Sequence, residues 1–109
     1  MTSKYIILDL AKSPRQGKRF RIRYTDDMKV KHTDFGAENG NTYIDHSDLK
    51  KRANYRKRHL ANATERNRIE NLIPSPATFS YYLLWGDTDD LFDNLIQLQK
   101  DFNHYYPIA

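Results

Sequence analysis

Cysteine is absent from the 109 residues, which removes disulfides, thiolate metal sites and cysteine nucleophiles together. The lack suits a reducing compartment. No secretory h-region and no run of about 18 apolar residues occurs, and the densest apolar stretch, Phe79 to Trp85, is far too short to cross a bilayer. The expectation is a chain with no transmembrane segment. Glycine is scarce, and Gly36 and Gly40 have no lysine at the offset of a phosphate-binding loop, nor is there a nucleophile elbow. Among His32, His46, His59 and His104 no pair stands four apart, as on a zinc-binding helix. His46 and His59 lie about 20 Å apart on a straight helix, too far to share a proton. These lacks argue against an enzyme, a metal, a cofactor and a small-molecule substrate.

What the chain does have is charge, unevenly placed. Residues 1–34 carry 9 basic and 4 acidic side chains, residues 35–72 carry 8 and 5, and residues 73–109 carry 1 and 5. The sequence therefore runs from basic to acidic, which suits an anionic partner at one end and an internal or external counter-charge at the other. At 39% hydrophobic and 13% aromatic residues, the composition is that of one small folded domain with a large surface.

Periodicity divides that domain, 1–109, into a sheet half over 1–35 and a helical half over 45–103. Lys4 to Leu10, Arg19 to Tyr24 and Met28 to Phe35 alternate as strands of an antiparallel meander, with turns at 13–17 and 25–27. Phe20, Ile22 and Tyr24 face in, and Met28 and Val30 share a face; Arg19, Arg21 and Arg23, joined by Lys29 and Lys31, make a basic sheet face unless later elements cover it. A helix is predicted from Asp45 or Ser47 to about Ala61, with Leu49, Ala53 and Leu60 as its narrow apolar stripe. Ser75 caps a short aromatic helix with Pro76 at its first position, closed by Gly86. The last helix, Thr88 to Asn103, repeats Leu91, Leu95, Leu98 and Phe102, widened by Phe92 and Ile96. The fold class is α+β, a three-stranded antiparallel sheet followed by a basic helix, an aromatic helix and a C-terminal amphipathic helix. The predicted core is Ile6, Leu8, Phe20, Ile22, Phe79, Leu83, Leu84, Trp85, Leu95 and Leu98.

The strongest local signal is Lys50, Lys51, Arg52, Arg56, Lys57 and Arg58, six cations around Tyr55 in ten residues. Phosphates would meet the cations and a base the ring. Equally, the cations would pair with acidic groups of another protein or of this chain's own tail. At the other end, Tyr81, Tyr82, Tyr105 and Tyr106 with Asp87, Asp89, Asp90 and Asp93 read as a partner contact, apolar area for affinity and acids for orientation. On that reading residues 103–109 order only under a partner, and the free chain is a monomer or associates weakly.

Phe35-Gly36-Ala37, Gly40, Tyr43, His46 and Asp48, then Lys51, Arg52, Tyr55, Arg58 and His59, then Pro76, Thr78, Phe79, Ser80, Leu83, Leu84 and Trp85 follow an order with a known counterpart. Over about residues 30–86 the chain resembles a family of small, basic, uncharacterised proteins encoded by large nucleocytoplasmic DNA viruses. The resemblance implies a virion protein, present in host cytoplasm during assembly, either a minor capsid or other structural component whose partners are capsid proteins, or a nucleic-acid-binding or condensing protein. This sequence departs from the family's pattern in two places: its acidic final helix lies outside that pattern, and Ile69-Glu70-Asn71-Leu72-Ile73 stands where the family has a tryptophan in an asparagine-rich turn before the proline. The opposed charges of the two ends favour the structural role.

Overall fold

The computed structural model describes residues 3–108. Three strands, β1 (Tyr5–Lys12), β2 (Lys18–Asp26) and β3 (Lys29–Ala37), pair antiparallel in the order β1-β2-β3. Five helices follow: α1 (Tyr43–His46), α2 (Leu49–Ala61), α3 (Ala63–Glu70), α4 (Pro76–Phe79) and α5 (Leu91–Tyr105). Between the last two, Ser80–Leu84 continues α4 as a π-helical turn. The α+β class and the sheet-then-helix order agree with the sequence.

The alternation of β1 is interrupted. Pairing with β2 shifts between Ile7 and Asp9, a bulge that inserts one residue and changes which parity faces the core. Tyr5, Ile7 and Leu10 pack inward, while Ile6 and Leu8 are exposed, Leu8 to 45%. This corrects their expected place in the core. The β2–β3 hairpin is also tighter than expected: Asp26 faces Lys29, and Asp27 and Met28 both take positive φ, as a two-residue turn requires. Met28 thus sits at the tip in solvent, and Val30 is exposed too.

Ile22, Tyr24 and Phe35 from the sheet, Phe79, Leu83, Leu84 and Trp85 from the aromatic segment, and Leu98 and Phe102 from α5 form one buried cluster. Phe20 and Leu95 pack against it half-buried. Phe92 and Ile96, expected to widen the α5 stripe, face solvent instead. Close packing explains Gly36, which has φ of 77° and lies where an added Cβ would stand 3.0 Å from Leu84 Cδ1.

The predicted long helix from residue 45 is broken. Ser47 takes a left-handed φ of 57°, ending α1, and Asp48 starts α2 by accepting the Lys50 and Lys51 amides. Asn62 does the same for α3. At the aromatic segment the prediction agrees: Ser75 caps and Pro76 leads. α5 starts three residues later than predicted, because Asp90 is its cap.

The chain end folds back on β1. Tyr106 stacks edge-on to Tyr5 at 5.0 Å and its hydroxyl donates to the Asn71 carbonyl, while Lys4 N–H donates to the Tyr106 carbonyl and Pro107 bridges Ser3. Asn103, Tyr105, Tyr106 and Pro107 thus have contacts within the chain, while Ile108 is 44% exposed and residue 109 lies outside the described residues. Gln99 of α5 closes the free side of β1: its Oε1 accepts the Ile7 amide at 2.7 Å and its Nε2 donates to the Tyr5 carbonyl at 3.0 Å.

Candidate anion-binding groove on helix α2

The outward cations of the sheet are neutralised where they stand. Arg19 makes two 2.7 Å bonds to Asp45, Arg21 bonds Asp34 at 2.9 and 3.0 Å, and Arg23 grips Asp9. Lys31 pairs with Asp26 at 2.8 Å. The Arg21 guanidinium, aided by the Ser13 hydroxyl and opposed by burial, holds the Asp34 carboxyl down at about 2. Arg19 likewise holds Asp45 below the usual carboxylate range. The basic sheet face of the sequence reading is thus held by ion pairs, three across the strands and one from Arg19 to Asp45 of α1, and of its five members Lys29 alone has no ion pair among the described residues.

Helix α2 attaches in an unexpected way. Of its stripe of Leu49, Ala53 and Leu60 only Leu60 is half-buried; Ala53 is exposed and Leu49 is 66% exposed. The face that meets the fold is Arg52, Tyr55, Arg56 and His59. Tyr55 lies flat on Trp85, with ring centroids 4.1 Å apart and planes 10° from parallel, and His59 covers the other side of Tyr55 at 4.1 Å. Burial pushes the Tyr55 phenol up to about 12. Arg52 Nε donates to the Gly86 carbonyl at 2.7 Å and Arg56 Nε to the Trp85 carbonyl at 2.8 Å. Both guanidiniums also reach Asp87 at 3.2 Å, and they lie over the rings of Tyr43 and Tyr81. Two of the cation cluster's three arginines are therefore staples, capping the carbonyls left free at the end of the π turn.

The acidic end is committed as well. Asp87 serves those arginines, Asp89 accepts the Ser47 hydroxyl at 2.7 Å, and Asp90 caps α5. Of the expected contact acids only Asp93 stands free, beside Asp87 and Asp101 on a pocket of about 310 Å³ along α5. The tyrosines too are tied within the chain: Tyr82 donates to the Ile69 carbonyl, Tyr105 to Asn71 Oδ1, and Tyr81 underlies Arg56. Within the chain, then, the hydroxyls of Tyr82, Tyr105 and Tyr106 and the carboxylates of Asp87, Asp89 and Asp90 have neighbours, while Asp93 does not. Asn94 organises this corner from 3% exposure, donating to the Leu83 and Thr88 carbonyls and accepting from the Thr88 amide and hydroxyl. Nothing in the pattern around it singles it out.

What remains open is the other flank of α2. Lys51, Asn54, Lys57, Arg58 and Trp85 line a groove of about 540 Å³. None of the three cations has an ion pair among the described residues, and no acid lines the groove. Lys50 beside it is exposed and equally unpaired. Arg58 continues into a second hollow of about 360 Å³ with Tyr55, His59, Asn62 and Glu65. There His59 Nδ1 lies 2.7 Å from Glu65 Oε2, an ion-pair distance that does not meet hydrogen-bond geometry. His46, the other histidine near the site, accepts the Asp48 amide at Nδ1, and its ring meets Trp85 at 5.4 Å. Sequence reasoning named Lys51, Lys57 and Arg58 but missed Asn54 and the place of Trp85, which reads as core from its apolar neighbours. Among the described residues no three histidine, aspartate or glutamate side chains converge as a metal would need, and no helix is long and apolar enough to cross a membrane.

No curated protein and no solved structure matches the chain. Residues 8–59 match the model of a family described as a family of unknown function (DUF5754), a stretch that carries β1 from Leu8, β2, β3, α1 and α2 as far as His59, and so three of the groove's cations and Asn54 but not Trp85.

Proposed function

We propose that the protein is a non-enzymatic structural component of a large DNA virus, a minor capsid or other virion protein that docks through the free flank of α2. One observation carries this reading. Helix α2 buries no aliphatic side chain, is held by two arginine staples and an aromatic stack, and turns Leu49 and four unpaired cations to solvent. A helix arranged only to complete its own core would bury the leucine and expose the arginines. Here the reverse holds, and the exposed row is ready for an anionic surface. The internal use of Asp87, Asp89 and Asp90 fits the same reading, because it keeps the chain's own acids away from that flank.

The viral setting comes from the resemblance over residues 30–86 and gives the assembly in which such docking would serve. The quadruple variant Lys50→Glu, Lys51→Glu, Lys57→Glu, Arg58→Glu tests it. Purified particles, separated into shell and core fractions and read by mass spectrometry, should contain the wild-type chain and lack the variant, with both equally soluble and equally stable to heat. Incorporation of the variant at the wild-type level overturns docking through α2, and absence of the wild-type chain from particles overturns the virion role.

A further inference from the structure

Resting on the docking role of α2, we infer that the groove of Lys51, Asn54, Lys57 and Arg58 holds the sugar–phosphate backbone of a nucleic-acid duplex, without regard to base sequence. Charge is the first argument. Lys51 and Arg58 stand seven residues apart, about 10 Å along the helix axis. A duplex presents about one phosphate charge per 1.7 Å of its axis, so a stretch of that length offers several phosphates at once to three cations. The groove contains no acid to compete, although Asp87 is only on the far flank of the same helix, held there by Arg52 and Arg56.

The aromatic geometry decides what kind of nucleic acid fits. Proteins that bind single strands gain much of their affinity by stacking bases on exposed rings. The two rings at this site have no free face to offer: Trp85 is 8% exposed and lies against Tyr55, whose second face is taken by His59. What Trp85 presents to the groove is a small part of its surface. With stacking closed off, the remaining contacts are phosphate to ammonium and guanidinium and phosphate or sugar to the Asn54 amide, which position a duplex but carry no base information.

Fluorescence anisotropy with two 20-base-pair DNA duplexes of unrelated sequence tests this on the full chain. Both should bind equally, with log affinity falling against log salt at a slope of about −2.7 for three neutralised phosphates, or about 40-fold between 50 and 200 mM. The triple variant Lys51→Glu, Lys57→Glu, Arg58→Glu should lose binding. The variant Lys12→Glu, Arg15→Glu, Lys100→Glu, with the same net charge, should retain it, and melting curves should show both to be folded. Equal loss in the two variants would mean that total charge, and not the groove, does the binding, and overturns the inference. So does tighter binding of an oligo-dT strand with quenching of Trp85, which would show base stacking, and so does displacement of the duplex by polyglutamate at equal charge concentration, which would mark an acidic protein as the occupant. Absence of any duplex binding at 20 mM salt overturns it while leaving particle docking intact, because incorporation is scored separately after nuclease treatment.

Discussion

Tyr55 and Trp85 lie 4.1 Å apart and within 10° of parallel, and this one stack joins the most basic helix of the molecule to its core. Everything on α2 is placed relative to it: the arginine staples on one flank and the open cations on the other. Trp85→Ala should cost about 3–5 kcal/mol, as large aromatic truncations do. Tyr55→Leu should lose part of that, and the coupling between the two positions in a double-mutant cycle should be about 0.5–1.5 kcal/mol. Denaturant midpoints measure both; additive losses would show that the stack contributes only area.

Gly86 is the position least able to accept a side chain. A Cβ there would stand 2.2 Å from the Tyr82 carbonyl oxygen and 2.8 Å from Asn94 Cγ. Gly86→Ala should therefore destabilise by about 1–3 kcal/mol or more through forced backbone movement, and should shift the Asn94 side-chain amide resonances. An unchanged melting temperature would contradict the packing described.

Arg56→Lys should be more harmful than Asp87→Asn, although both touch the same ion pair. Lysine keeps the charge but has no Nε to bond the Trp85 carbonyl, which is left without its donor. Asp87 is 77% exposed, and its pairs with arginine contribute about 0–1 kcal/mol. Urea unfolding of the two variants checks the order.

Two sets of groups set the pH range. The lowered carboxyls of Asp34 and Asp45 bind protons less readily folded than unfolded, so their contribution is complete above about pH 4 and is lost as pH falls toward about 2. Asp34→Asn should flatten that acid limb. At the other end Tyr55 and Tyr82, pushed to about 12 by burial, keep their protons when the unfolded chain has lost them, so stability falls as pH rises from about 10 to 12. Ultraviolet titration should show a phenol step delayed toward about 12, and Tyr55→Phe should reduce it.

Removal of residues 104–109 should destabilise the free chain measurably, since it deletes the Tyr105 and Tyr106 bonds to Asn71 and the edge contact of Tyr106 with Tyr5. Proteolysis of the free chain should spare this end. Rapid trimming to residue 103 with no loss of stability would restore the docking role that the sequence suggested for it.

The parts of the structure that sequence reveals are those governed by local rules. Ser75-Pro76 and the 13–17 turn depend on neighbours a few residues away, and β2 alternates without interruption. Ile6 and Leu8 mislead because a bulge changes parity without leaving a glycine or proline to mark it. Leu49 misleads because apolar periodicity assumes that aliphatic residues do the packing, whereas on α2 guanidiniums and rings do most of it. The groove was half visible: its cations stood out as a run, but which of six would be spent on carbonyls depended on residues 30 positions away. That division is tertiary information.

The Gln99 amide has a consequence for how the sheet meets other chains. By giving β1 one donor and one acceptor at strand spacing, it occupies the hydrogen-bonding edge that another strand would otherwise use. At the other edge of the sheet, β3 carries Lys29 and Lys31, charges of the kind that oppose the addition of a further strand. A small, half-open sheet of this kind is an aggregation hazard by its architecture, and here one glutamine and two lysines act as its gatekeepers.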